Sequence, residues 1–133
     1  MIYPCYQACR NSDNKEAAMT MLIVTGATGT LGALILDALL ARVPAAQLGA
    51  SVRDPDKARA LAERGVRVRR ADFDDPASLP AAFEGASAVL VISAAAVGEV
   101  ARRRHRAAFD AAVAAGAQRV LYTSHMGVGP ASP

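Results

Sequence analysis

Residues 25–32 read TGATGTLG, with glycines at Gly26, Gly29 and Gly32. This spacing suits a loop that must approach a charged ligand closely. Gly26 permits a tight turn, Gly29 lets the backbone come near a pyrophosphate, and Gly32 lets the following helix pack closely on a sheet. A helix starting just after them offers unpaired N–H groups and the positive end of its dipole to phosphate oxygens. Glycine-rich turns also occur where nothing binds, and the flanks decide between the two. Apolar MLIVT precedes the loop and a leucine- and alanine-rich stretch follows it, which is the strand–loop–helix setting of a dinucleotide fingerprint.

Two more positions bear on the same chemistry. Arg53 stands where the end of a second strand would read the adenosine ribose. An acid there bonds the 2′-hydroxyl of NAD, whereas an arginine accommodates the 2′-phosphate of NADP. The adjacent Asp54 precedes Pro55 and is expected to cap a helix, which leaves Arg53 to face a phosphate with Lys57 as a second cation. The expected cofactor is therefore NADP(H) in preference to NAD(H). Asp72 is the first acid after the third apolar run. It is placed either to accept a hydrogen bond from an adenine amino group or to sit solvated in a loop. Asp75, before Pro76, is expected to serve as an N-cap.

The elements that must carry these residues follow from hydrophobic patterning. Short apolar runs at 21–25, 48–52, 66–70, 87–93 and 119–124 alternate with helical patterns near 30–42, 56–64, 77–84 and 98–116. Strand and helix alternating in this way predict an α/β fold, a doubly wound parallel sheet with helices on both faces. Right-handed crossovers give five strands in the order 3-2-1-4-5. Gly65 and Gly116 fall where left-handed residues end the second and fourth helices. The fifth strand is expected at an uncovered edge, and Val120, Leu121, Tyr122 and Thr123 give it the content that favours pairing, so a homo-oligomer through that edge is expected.

Composition narrows the partners. The chain has 133 residues, a net charge of +3, 53% hydrophobic and 5% aromatic residues, and no tryptophan. One domain with a real core fits that length. Alanine supplies 31 residues and arginine 13, while Lys15 and Lys57 are the only lysines. The run Arg102, Arg103, Arg104, His105 and Arg106 spreads around more than one helical turn and has no interleaved aromatics, so no nucleic-acid partner is expected. The apolar stretch 21–41 is interrupted by glycines, threonines and Asp37, so no membrane span is expected. Cys5 and Cys9 cannot staple a domain or complete a metal site, which points to a reducing, cytoplasmic location. Residues 1–20 lack periodicity and are expected to be a disordered extension preceding a domain over 21–133.

Taken together, TGATGTLG, SVRDPDKA, ADFDDPASL, VLVIS and HRAAFDAAVAAGAQRVLYTS resemble the NmrA-like atypical short-chain dehydrogenases/reductases, and within them the NADPH:quinone oxidoreductase type 2 subgroup. The resemblance runs from Met21 to about Ser132. It implies a Rossmann-type domain in which Gly26, Ala27, Thr28, Gly29, Thr30 and Leu31 cradle the pyrophosphate. Arg53 and Lys57 would hold the 2′-phosphate, with Asp72 and Phe73 beside the adenine. Ser93 and Ala94 would lie along the ribose, and Tyr122, Thr123 and Ser124 near the nicotinamide.

The implied activity is hydride transfer from NADPH to a quinone or similar small-molecule acceptor. The alternative is a cofactor-binding redox sensor without turnover. The chain departs from the wider family in two ways. A tyrosine followed four residues later by a lysine commonly serves as the acid–base pair, but Met126 stands four after Tyr122, and His125 is either the remaining candidate for proton transfer or a loop histidine facing solvent. The family also continues into a substrate-binding lobe after the fifth strand, whereas this sequence stops at Pro133.

Overall fold

The computed structural model describes residues 20–94 and 96–124. The expected N-terminal extension with Cys5 and Cys9, and His125, lie outside the described residues. One five-stranded parallel sheet runs in the order β3-β2-β1-β4-β5, as the patterning predicts. Its strands are β1 (Leu22–Thr25), β2 (Leu48–Val52), β3 (Arg67–Arg70), β4 (Ala88–Val91) and β5 (Arg119–Tyr122). The helices are α1 (Thr30–Leu40), α2 (Arg59–Glu63), α3 (Leu79–Phe83) and α4 (Gly98–Ala114). In register, Thr25 lies beside Ser51 and Val24 beside Leu90, which brings the carboxyl ends of the central strands to one edge. Among the described residues no helix is long and apolar enough to cross a membrane.

Strands β4 and β5 stop earlier than their apolar runs. The N–H groups of Ile92 and Ser93 turn to the hydroxyls of Thr25 and Thr123, both at 2.9 Å, instead of continuing a ladder. Helices α2 and α3 are shorter than their patterns because each is preceded by a 3-10 turn, Pro55–Ala58 and Pro76–Ser78. Asp54 caps the first of these turns, accepting from the Asp56 N–H at 3.1 Å. The expected cap at Asp75 is corrected: the residue holds the N-cap position, but its side chain does not cap. Arg70 takes the carboxylate at 3.0 Å, and the Ser78 hydroxyl donates to the Asp75 carbonyl at 2.7 Å. A guanidinium one strand-end away outcompetes a neutral N–H for a carboxylate. Both expected glycine stops are present, with φ of +92° at Gly65 and +82° at Gly116.

The core lies on both faces of the sheet. On one face Val24, Leu48, Ala50 and Val52 pack with Leu36 of α1 and Leu61 of α2. On the other Ile23, Val89 and Val91 pack with Leu79 and Phe83 of α3 and Ala108 and Ala112 of α4. The two outer strands are treated differently. On β3, Arg69 hydrogen-bonds the Ala81 carbonyl and pairs with Glu84 at 2.9 Å, and Arg67 donates to the Ala82 carbonyl at 3.4 Å. These guanidinium groups satisfy carbonyls of the last turn of α3. On β5, Val120, Leu121 and Tyr122 are 37%, 53% and 44% exposed.

Among the described residues Phe83 is the largest fully buried side chain. Replacing Phe83 with alanine is expected to cost about 3–5 kcal/mol of stability, measured as a lower midpoint in urea unfolding.

Candidate functional site

The glycine loop leaves β1 at Thr25 and enters α1 at Thr30. Gly26 turns the chain with φ +61°, a conformation that favours glycine, and its carbonyl accepts the Gly29 N–H at 3.0 Å. Gly29 is extended, φ −76° and ψ 167°, so it is free of any left-handed requirement. A Cβ there would meet the Gly26 carbonyl oxygen at 3.3 Å. Gly32 has the most crowded position. A Cβ would lie 2.2 Å from the Gly26 oxygen and 2.9 Å from the Ala27 Cα. Its close neighbour is the backbone of the loop itself. No side chain caps the N-terminus of α1, so its first N–H groups remain available.

The loop forms one wall of a groove of about 660 Å³ along the carboxyl edge of the sheet. Of the expected site residues, Gly26, Thr28, Gly29, Arg53, Lys57, Asp72, Phe73, Ser93 and Ala94 line it. Ala27 is buried in the core beneath α1, and Thr30 and Leu31 are exposed beyond the groove wall. Tyr122, Thr123 and Ser124 do not line it either. Thr123 acts from behind the wall, through its bond to the Ser93 N–H.

Charges around the groove divide into matched and unmatched groups. Asp72 accepts from the Asp74 N–H at 2.9 Å, which turns the loop after β3 back on itself. Asp74 then takes Arg104 of α4 in a two-pronged pair, Nε at 2.8 Å and a terminal nitrogen at 2.5 Å. The hydrogen bond from Arg104 holds the Asp74 carboxyl below its usual range, with Arg103 helping at 3.6 Å. Arg102 pairs with Glu99 at 2.7 Å. The arginine run is thus largely matched by acids, in keeping with a solvated helix face. Arg53 and Lys57, across the groove, are exposed and have no ion-pair partner among the described residues.

Sequence reasoning missed three groups. Ser51 lines the groove, is 2% exposed, and its hydroxyl has no hydrogen-bond partner. Arg104 lines the groove and ties α4 to the loop after β3. His105 was absorbed into the arginine run, yet its ring packs on Phe109 and Tyr122. The spacing of His105 and Phe109, one helical turn apart, was the available signal.

Residues 26–133 match the family described as NAD(P)H-binding. The chain belongs to that family, as an NmrA-like NAD(P)H-binding domain. It is 46% identical to quinone oxidoreductase 2 of Escherichia coli strain K12 over 104 residues, covering 78% of this chain and 36% of the relative. It is 35% identical to an NmrA-like family domain-containing oxidoreductase of Aspergillus flavus, covering 77% of this chain and 34% of that protein. The crystal structure of the Citrobacter sp. triphenylmethane reductase complexed with NADP(H) superposes with a TM-score of 0.77 at 42% identity, covering 79% of this chain and 37% of that one. The chain therefore spans about a third of the length of these relatives.

Gly32→Ala is expected to lose about 1–3 kcal/mol, because the Gly26 carbonyl must move. Gly29→Ala, with more room, is expected to lose less. Thermal denaturation of the two variants side by side checks the order.

Proposed function

We propose that this domain binds NADP(H) in the groove, with its 2′-phosphate on Arg53 and Lys57. The observation that carries the reading is the pair of cations just after β2 that have no ion-pair partner among the described residues, in a groove where Asp74 and Arg104 are matched to each other. Three further features fit a dinucleotide: the uncapped start of α1, the crowded glycine loop, and the orphaned Ser51 hydroxyl. In this reading Gly26, Thr28 and Gly29 cradle the pyrophosphate, with the backbone of Ala27, Thr30 and Leu31 completing the turn. Asp72 and Phe73 flank the adenine. Ser93 and Ala94 follow the ribose towards Tyr122, Thr123 and Ser124.

The bound cofactor supplies the hydride, and the protein supplies orientation and exclusion of water. The relatives' names support a small quinone-like acceptor. The described residues hold no tyrosine–lysine pair near the end of β5, so a redox-sensing role without turnover stands as the second reading. We further propose that β5 pairs with β5 of a second copy of this chain, because its apolar rungs are exposed.

Arg53→Ala is expected to weaken NADPH binding by about 1.5–3 kcal/mol while leaving NADH binding nearly unchanged. Fluorescence titration with both cofactors checks it, and equal affinity of the parent protein for NADPH and NADH would overturn the assignment. A panel of small quinones separates the two readings: NADPH oxidation above background supports a reductase, and tight binding without oxidation supports a sensor. Sedimentation is expected to show self-association that Leu121→Lys abolishes, and a monomer at high concentration overturns the edge pairing.

A further inference from the structure

Three successive backbone N–H groups follow β4, and each is held by a side chain from a different element. Thr25 of β1 accepts from Ile92, Thr123 after β5 accepts from Ser93, and His105 of α4 accepts from Ala94, each at 2.9 Å. Ile92, Ser93 and Ala94 all line the groove. Its wall on this side is therefore set by three side-chain acceptors. Two are hydroxyls that keep their acceptor lone pairs at any pH. The third is an imidazole.

The Ala94 bond fixes the state of that imidazole. Nε2 must be bare to accept, so the proton of the neutral ring sits on Nδ1, which lies 3.4 Å from the Tyr122 hydroxyl. Two rings flank the half-buried imidazole, with centroids 5.1 Å away at Tyr122 and 6.5 Å at Phe109. The Tyr122 phenol from β5 is the titratable group in contact with it; on α4 itself Arg102, Arg104 and Arg106 are near in sequence, and Asp74, from the loop after β3, reaches α4 through Arg104. Arg104 is held by Asp74, and Arg102 by Glu99. Burial lowers the imidazole pKa from its ordinary value, which keeps Nε2 bare at neutral pH.

We propose that His105 is a positioning residue for the nucleotide: its neutral imidazole holds the Ala94 backbone in the groove wall, and protonation of Nε2 releases that backbone and weakens NADP(H) binding. The inference rests on the NADP(H) reading above. Protonation puts a proton on Nε2, so two N–H donors face each other and the bond is lost. The sign follows from the lowered pKa. The bond is complete above the ordinary imidazole value of about 6.5 and is lost as pH falls below it through the folded-state value.

The test is calorimetric titration with NADP⁺ from pH 7.5 to 5 for the parent protein, His105→Gln and His105→Leu. The glutamine amide oxygen can accept the Ala94 N–H but does not titrate. The parent is expected to lose affinity on acidification more steeply than His105→Gln. At pH 7.5 His105→Leu is expected to bind roughly tenfold more weakly, with the N–H left unpaired, and His105→Gln to restore most of that loss. Parallel pH profiles for the parent and His105→Gln overturn the proposal, as does unchanged affinity in a folded His105→Leu. If the leucine variant fails to fold by circular dichroism, the glutamine profile alone decides. A parent protein that binds no NADP⁺ at pH 7.5 overturns the cofactor reading and this inference with it, whereas the other outcomes leave the cofactor reading standing.

Discussion

Gly32 has no side chain, and the Gly26 carbonyl oxygen occupies the place where one would begin. The first turn of α1 is pressed directly onto the loop that leads into it. Because the same carbonyl accepts the Gly29 N–H, the loop closes on itself before the helix starts. The direction of α1 across β2 follows from that contact, and with it the burial of Leu36 among Val24, Leu48 and Ala50. It also fixes where the uncapped N–H groups of α1 point relative to the carboxyl edge. A methyl group at position 32 would disturb packing and site together.

The rest of the edge is held by side chains that hydrogen-bond across elements. Thr25, Thr123 and His105 hold the backbone after β4, and Asp72, Asp74 and Arg104 connect the loop after β3 to α4. Acids on that side are matched by arginines. Arg53 and Lys57, after β2, have no such ion-pair partner among the described residues. A rigid, internally bonded wall facing an uncommitted basic one is an arrangement suited to an elongated anion with one extra phosphate.

The fold was legible from the amino-acid order because parallel strands need crossovers, and the alternation of runs left few topologies. The glycine loop and Arg53 were legible because their roles depend on backbone and position. What was hidden depended on competition between partners. Asp75 had the neighbours of a capping residue, but Arg70 was closer in space than sequence suggests, and Ser78 took over the local bonding. Thr123, expected near the ligand, also bonds the backbone behind the wall, a contact that its place in the sequence does not show. His105 was hidden by composition, since four flanking arginines made it look like part of a charged face. Its helical pairing with Phe109, and its place beside Tyr122, required the sheet order to be known first.

The two ends of the sheet are chemically unlike. At β3 the strand carries Arg67, Arg69 and Arg70, and the first two are anchored to the carbonyls of α3. A further strand laid there would meet charges already bound to the neighbouring helix. At β5 it would meet Val120, Leu121 and Tyr122 with their surfaces exposed. The sheet is therefore a ribbon with one finished margin and one receptive margin. Strand β1 lies in the middle of the sheet, with the two unlike margins two strands away on either side.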